Sequence, residues 1–177
     1  MSAQIELSET NGSTPVVEDG ISTINFGSVD DHDLDPDANP ISLSSAPQSF
    51  EKWLRVHVVD MDTSTAIDNI RVYASDLGGG YKLGEALMSN LTMDASLYSA
   101  VAYPGTGPVN TKSSVATAQI PESEPIQANI GIGGALSGQL VADDTYSDYI
   151  VLQLQLSGST PVGAVSQKVI TIEWDEQ

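Results

Sequence analysis

A chain of 177 residues and 18.6 kDa is long enough to bury about 70% of its unfolded surface in one domain. Six basic residues against 24 acidic ones leave a formal charge of −18, which repels phosphate backbones and anionic lipid and argues against nucleic acid or a membrane surface as partner. With no cysteine there is no disulfide framework, thiolate nucleophile or sulfur-ligated metal, while 15 Gly and 9 Pro favour strands joined by turns, an all-β class.

The opening residues 1–20 are polar and acidic, with only the alternation of Ile5 and Leu7, and read as an N-terminal arm held by a neighbour. MSAQIELSETNGST has neither a basic nor an apolar signal region, and no run reaches the ~18 apolar residues of a membrane span, so synthesis in a host cytoplasm without a signal peptide is expected. Residues 21–29 (ISTINFGSV) alternate as a first core strand, the charged stretch DDHDLDPDANP is a loop, and 41–43 is a short edge strand. Residues 51–60 (EKWLRVHVVD) form a strand with Leu54, Val56 and Val58 on one face and Trp53, Arg55, His57 and Val59 on the other. After the turn DTSTA, residues 67–75 supply Ile70 and Val72 inward and complete a hairpin-like pair.

Between about 76 and 129 the period is lost in a long Gly/Pro-rich insertion, the better candidate for subunit contacts. Residues 83–91 suggest a turn or two of helix there, and 98–103 and 114–120 suggest strands. A Gly-rich strand or loop follows at 129–141. The close, DYIVLQLQLSGSTPVGAVSQKVITIEW, reads as two alternating strands about a turn, with Ile150, Leu152, Leu154 and Leu156 answered by Ile170, Ile172 and Trp174. The expected architecture is an antiparallel β-sandwich over residues 21–177, preceded by the arm.

Few residues carry the signature of chemistry. Asp30, Asp31, Asp33, Asp35 and Asp37 crowd one loop, but counting an EF-hand from Asp31 puts Pro36 where Gly is needed and Ser42 where a bidentate Glu is needed. A solvated loop explains them, with His32 a surface histidine. Asp60, Asp62 and Asp68 suit turn chemistry, since aspartates there bond to nearby backbone. His57 is assigned an exposed or intersheet position, and no nucleophile elbow or phosphate loop exists; Gly78-Gly79-Gly80 lacks the Lys and helix of one. Trp53, Tyr73, Tyr81, Tyr98, Tyr103, Tyr146, Tyr149 and Trp174 are read as caps on a core before they are read as a sugar-stacking surface. No catalytic, cofactor or metal residue is therefore expected, and no enzyme.

The strand INFGSV, the pair WLRVHV and IRVYAS, and the close with its turn Pro161-Val162-Gly163 resemble the immunoglobulin-like β-sandwiches of bacterial surface proteins and of structural proteins of tailed bacteriophages. The likeness covers 21–75 and 148–174 and admits an immunoglobulin-like or jelly-roll-like form. It implies a virion component, namely a head decoration or cement protein, a head fibre, or a neck or tail subunit. Its partners are then other virion proteins and copies of itself, met through many weak contacts. A carbohydrate- or cell-surface-binding module is the alternative, with Tyr81 and Tyr103 as the residues to test.

Overall fold

Alternation of apolar and polar side chains decides which segments become strands, and tertiary pairing decides which strands meet. The structure, a computed structural model, describes residues 2–11, 16–43, 48–93, 118–163 and 166–177. Nine strands run through them: β1 (Gln4–Asn11), β2 (Val16–Glu18), β3 (Lys52–Asp60), β4 (Ile67–Asp76), β5 (Ala86–Met93), β6 (Ala118–Gln119), β7 (Thr145–Tyr146), β8 (Tyr149–Gln155) and β9 (Val169–Glu176). All pairings are antiparallel. Seven strands make one sheet in the order β2-β1-β3-β8-β5-β6, with β7 also on β3, and β4 and β9 make a separate ribbon.

The inward residues of the two sheets share one apolar cluster. Leu54, Val56 and Val58 of β3, Ile150 and Leu152 of β8 and Leu87 of β5 meet Ile67, Ile70 and Val72 of β4, with Ile170, Ile172 and Trp174 of β9 packed against them. Each fully buried Val, Leu or Ile stabilises the fold by about 1.5–3 kcal/mol relative to exposure. Ile120, Ile130 and Leu140 reach the same cluster from loops. Their segments also close the outer side of β4, where the Ala74 amide donates to Pro121 O at 2.8 Å and the Asn129 amide to Ile70 O at 3.1 Å.

Several expectations are corrected by this pairing. The 1–20 stretch is no free arm: β1 lies between β2 and β3, with Leu7 opposite Val56 and Glu6 opposite His57. Its charged residues hid a strand whose polar side chains bury against partners from distant segments. Residues 21–29 form no strand; Ile24 and Phe26 pack on the core, but the Ser28 amide turns aside to Asn39 O at 3.0 Å, closing the acidic loop. No strand forms at 41–43 either.

Neither expected hairpin exists. β3 and β4 are joined across 61–66, where Met61 and Ala66 bury and carry the chain from one sheet to the other. β8 and β9 likewise answer each other across the core, in different sheets. The helical turn expected at 83–91 is strand β5, and 129–141 is a loop with two bridges, Ile132 to Ala135 and Leu140 to Ile67. The expected strand at 114–120 is represented by β6, and the one at 98–103 falls outside the described residues.

Two edges are open. Among the described residues, no backbone hydrogen bond reaches the outer side of β2 or of β9. Val16 and Val17 on β2 and Val169 on β9 are 50%, 42% and 49% exposed.

Candidate functional site

Period-two alternation on β3 sends Trp53, Arg55 and His57 to the face opposite Leu54, Val56 and Val58. Register then supplies their neighbours: Glu6 of β1 and Tyr146 of β7 lie directly opposite His57, and Ser8 opposite Arg55. The result is a ladder of flat groups. The Tyr146 ring stacks on His57 at 4.1 Å and 5°, and the Arg55 guanidinium lies 4.2 Å from the Tyr146 centroid and 4.9 Å from that of Tyr149. Tyr149 in turn meets Trp53 edge-on at 5.2 Å, and its hydroxyl lies 3.3 Å from Thr10 Oγ1. Cation–π and aromatic contacts of this kind contribute about 0.5–2 kcal/mol each.

His57 closes the ladder and is 7% exposed. Its two nitrogens face carboxylates from different segments, Glu6 Oε1 2.9 Å from Nδ1 and Asp144 Oδ1 3.1 Å from Nε2. Asp19 Oδ1 lies 3.8 Å from Nδ1 and accepts from the Ser8 hydroxyl. Asp144 sits in a left-handed turn (φ 55°) and its amide donates to Val58 O at 2.8 Å, so its place is fixed by backbone. Burial, and after it the charges of Asp19 and Asp144, push the Tyr146 hydroxyl above its ordinary value of 10.0, with Arg55 pulling the other way.

A second buried polar group anchors the acidic loop. Lys52 Nζ donates to Glu9 Oε1 at 2.8 Å and to Asp31 O at 2.6 Å, and both side chains are shut off from water. Within the loop the Asp33 amide donates to Asp31 Oδ1 and the Asp37 amide to Asp35 Oδ1, while Leu34 inserts into the protein. Asp31 and Asp35 therefore do turn chemistry, where the sequence suggested only a solvated loop. His32 stands beside Asp31 and Glu18 at 3.5 and 4.0 Å. Asp60 accepts from the Asp62 amide at 2.7 Å, again a turn, and Asp68 accepts from Gln139 and Gln177.

The aromatics divide in the same way. Trp53 and Tyr149 are buried and offer no bare face for a sugar, while the half-buried Tyr73 donates its hydroxyl to Glu173 at 3.1 Å. Tyr81 lies near Lys168 Nζ at 5.1 Å, and Tyr98 and Tyr103 fall outside the described residues. His57 is the residue that sequence reasoning underrated. Its partners lie 51 and 87 positions away, and only the sheet register brings them together. The single local hint was an ionisable residue beside Arg55 and Trp53 on the outer face of a strand whose inner face is leucine and valine.

Comparison with protein families, with curated proteins and with solved structures finds no match to this chain.

Proposed function

We propose that this chain is a structural assembly subunit of a tailed bacteriophage-like virion, a head decoration or cement protein, head fibre, or neck or tail subunit built on an immunoglobulin-like or jelly-roll-like β-sandwich. The observation that carries the proposal is the pair of open strand edges. β9, paired with β4 along one edge, is eight residues or ~27 Å long at ~3.4 Å per residue, and the backbone donors and acceptors of its other edge meet no strand among the described residues. β2 offers a shorter edge bearing two exposed valines. An incoming strand satisfies such groups by β-augmentation, main chain giving affinity and side chains giving register. The likeness of WLRVHV, IRVYAS and the closing residues to virion domains supports the particle setting.

Charge sets the terms of assembly. A chain of net charge −18 repels its own copies, so contacts form with basic partners or where salt screens the repulsion to within ~8 Å or less. Lysines at edge positions are what proteins use to block edge pairing. Val17→Lys and Val169→Lys together are expected to leave a folded chain that no longer enters particles when it replaces the wild type. Normal incorporation of that folded double variant removes the edges from the account.

A further inference from the structure

The His57 cluster has the make-up of a metal site. Donor atoms of Glu6, Asp19 and His57 all lie within 4.8 Å of one another. A four-coordinate zinc ion with bonds of ~2.0–2.1 Å holds neighbouring donors ~3.3–3.4 Å apart. The distances from His57 Nδ1, 2.9 Å to Glu6 Oε1 and 3.8 Å to Asp19 Oδ1, straddle that separation. Shifts of about half an ångström in the Glu6 and Asp19 side chains, 31% and 44% exposed, bring both distances from Nδ1 to that separation.

The second observation lies on the far side of the ring. A histidine that binds metal through one nitrogen needs its other N–H held by a carboxylate or carbonyl, which fixes tautomer and orientation. Asp144 Oδ1 occupies that place at 3.1 Å from Nε2, on a side chain that is 85% exposed and a backbone placed by its amide's bond to Val58 O. Tyr146, flat against the imidazole, restrains the ring from a third direction. Three carboxylates surround one imidazole, and no lysine or arginine makes a direct ion pair with Glu6, Asp19 or Asp144 among the described residues, Arg55 reaching the Tyr146 and Tyr149 rings instead.

We propose that Glu6, Asp19 and His57 bind one divalent transition-metal ion of the zinc class, with water in the remaining position and Asp144 holding the imidazole. One nitrogen and two carboxylates suit Zn²⁺ better than Ca²⁺ or Mg²⁺, which take oxygen cages. Any proton on Nδ1 leaves to solvent as the metal takes its place, while Nε2 keeps its proton and donates to Asp144. The ion would tie β1, the residue following β2, and β3 together, a structural staple independent of the assembly role.

The test is titration of the metal-stripped full chain with Zn²⁺ by calorimetry, with Co²⁺ absorption as a spectroscopic check. One ion per chain is expected, with Co²⁺ bands of a four-coordinate nitrogen–oxygen site. Asp144→Asn should weaken binding about 10–100-fold. Asp19→Asn should weaken it more, and because Asp19 is half exposed that variant stays folded, as circular dichroism checks. Asp33→Asn with Asp35→Asn, in the acidic loop, should change nothing. Absence of binding up to ~1 mM Zn²⁺, or equal affinity in wild type and Asp19→Asn, overturns the site. So does loss of binding in the acidic-loop variant, which would move the ion to that loop.

Discussion

Replacing Lys52 by methionine keeps the length of the side chain and deletes its charge in a place water does not reach. Lys52 is 1% and Glu9 0% exposed, and the ammonium is held by Glu9 Oε1 at 2.8 Å and Asp31 O at 2.6 Å. Without it, Glu9 keeps one neutral donor, Asn11 Nδ2 at 3.1 Å, and its Oε2 has no hydrogen-bond partner among the described residues. Breaking a buried pair in this way costs about 3–5 kcal/mol, because a lone buried carboxylate remains. Net stability of a domain is about 5–15 kcal/mol, so the variant loses a large share of it. At ~2–4 °C per kcal/mol for a chain of this size, the melting temperature falls by about 6–20 °C. Urea unfolding followed by fluorescence and circular dichroism reads the change directly. The double variant Glu9→Leu with Lys52→Met removes both charges and should regain most of the loss, since an apolar replacement of a buried pair is often neutral or better. A cost below about 1 kcal/mol for Lys52→Met, the range of exposed ion pairs, would refute the burial argument.

Deleting residues 1–20 removes β1 from beside β3 and should abolish cooperative melting; a soluble truncated chain with a sharp thermal transition would contradict the topology. Gly27→Ala places a methyl 2.6 Å from Asn39 O and 2.6 Å from Leu34 Cδ2, so overpacking should cost about 1–3 kcal/mol, while Gly158→Ala meets nothing within 4 Å and should be near neutral in the same unfolding assay. The Glu176 carboxylate lies below its ordinary value of 4.5, held there by hydrogen bonds from the Ser64 hydroxyl and the Ala3 amide. Its stabilising effect is complete above the unfolded-state value and disappears as pH falls through the lower folded value. Glu176→Gln should therefore be less stable than wild type near neutrality and converge with it on acidification; a gap that stays constant with pH would exclude the linkage.

The core strands were legible because their chemistry is local. WLRVHVV alternates, as IRVYA does after a register shift at Asn69, and both segments are strands nearly to the residue, β3 and β4. What alternation does not carry is partnership. Nothing in DTSTA says whether the next strand returns beside β3 or crosses the core, and the buried Met61 and Ala66 that take it across look like ordinary turn neighbours. The same limit split β8 from β9. β1 was misjudged for the opposite reason: QIELSETN is polar enough to read as an arm, yet Ser8, Glu9 and Thr10 bury because Asp19, Lys52 and Tyr149 supply partners from elsewhere, and Asn11 buries against Glu9. Near the candidate site, the turn role of Asp60 followed from short-range rules and held, while those of Asp31 and Asp35 were not assigned from the sequence. The convergence of Glu6, Asp19, Asp144 and His57 depends on long-range register, which one sequence does not display.

The assembly proposal is tested most directly by weighing the chain in finished particles. Quantitative mass spectrometry of virions purified from the culture that produces this protein should find it at a fixed, integer copy number per particle that survives a salt wash. Its absence from particles, while the same culture holds it free in the lysate, would contradict the proposal.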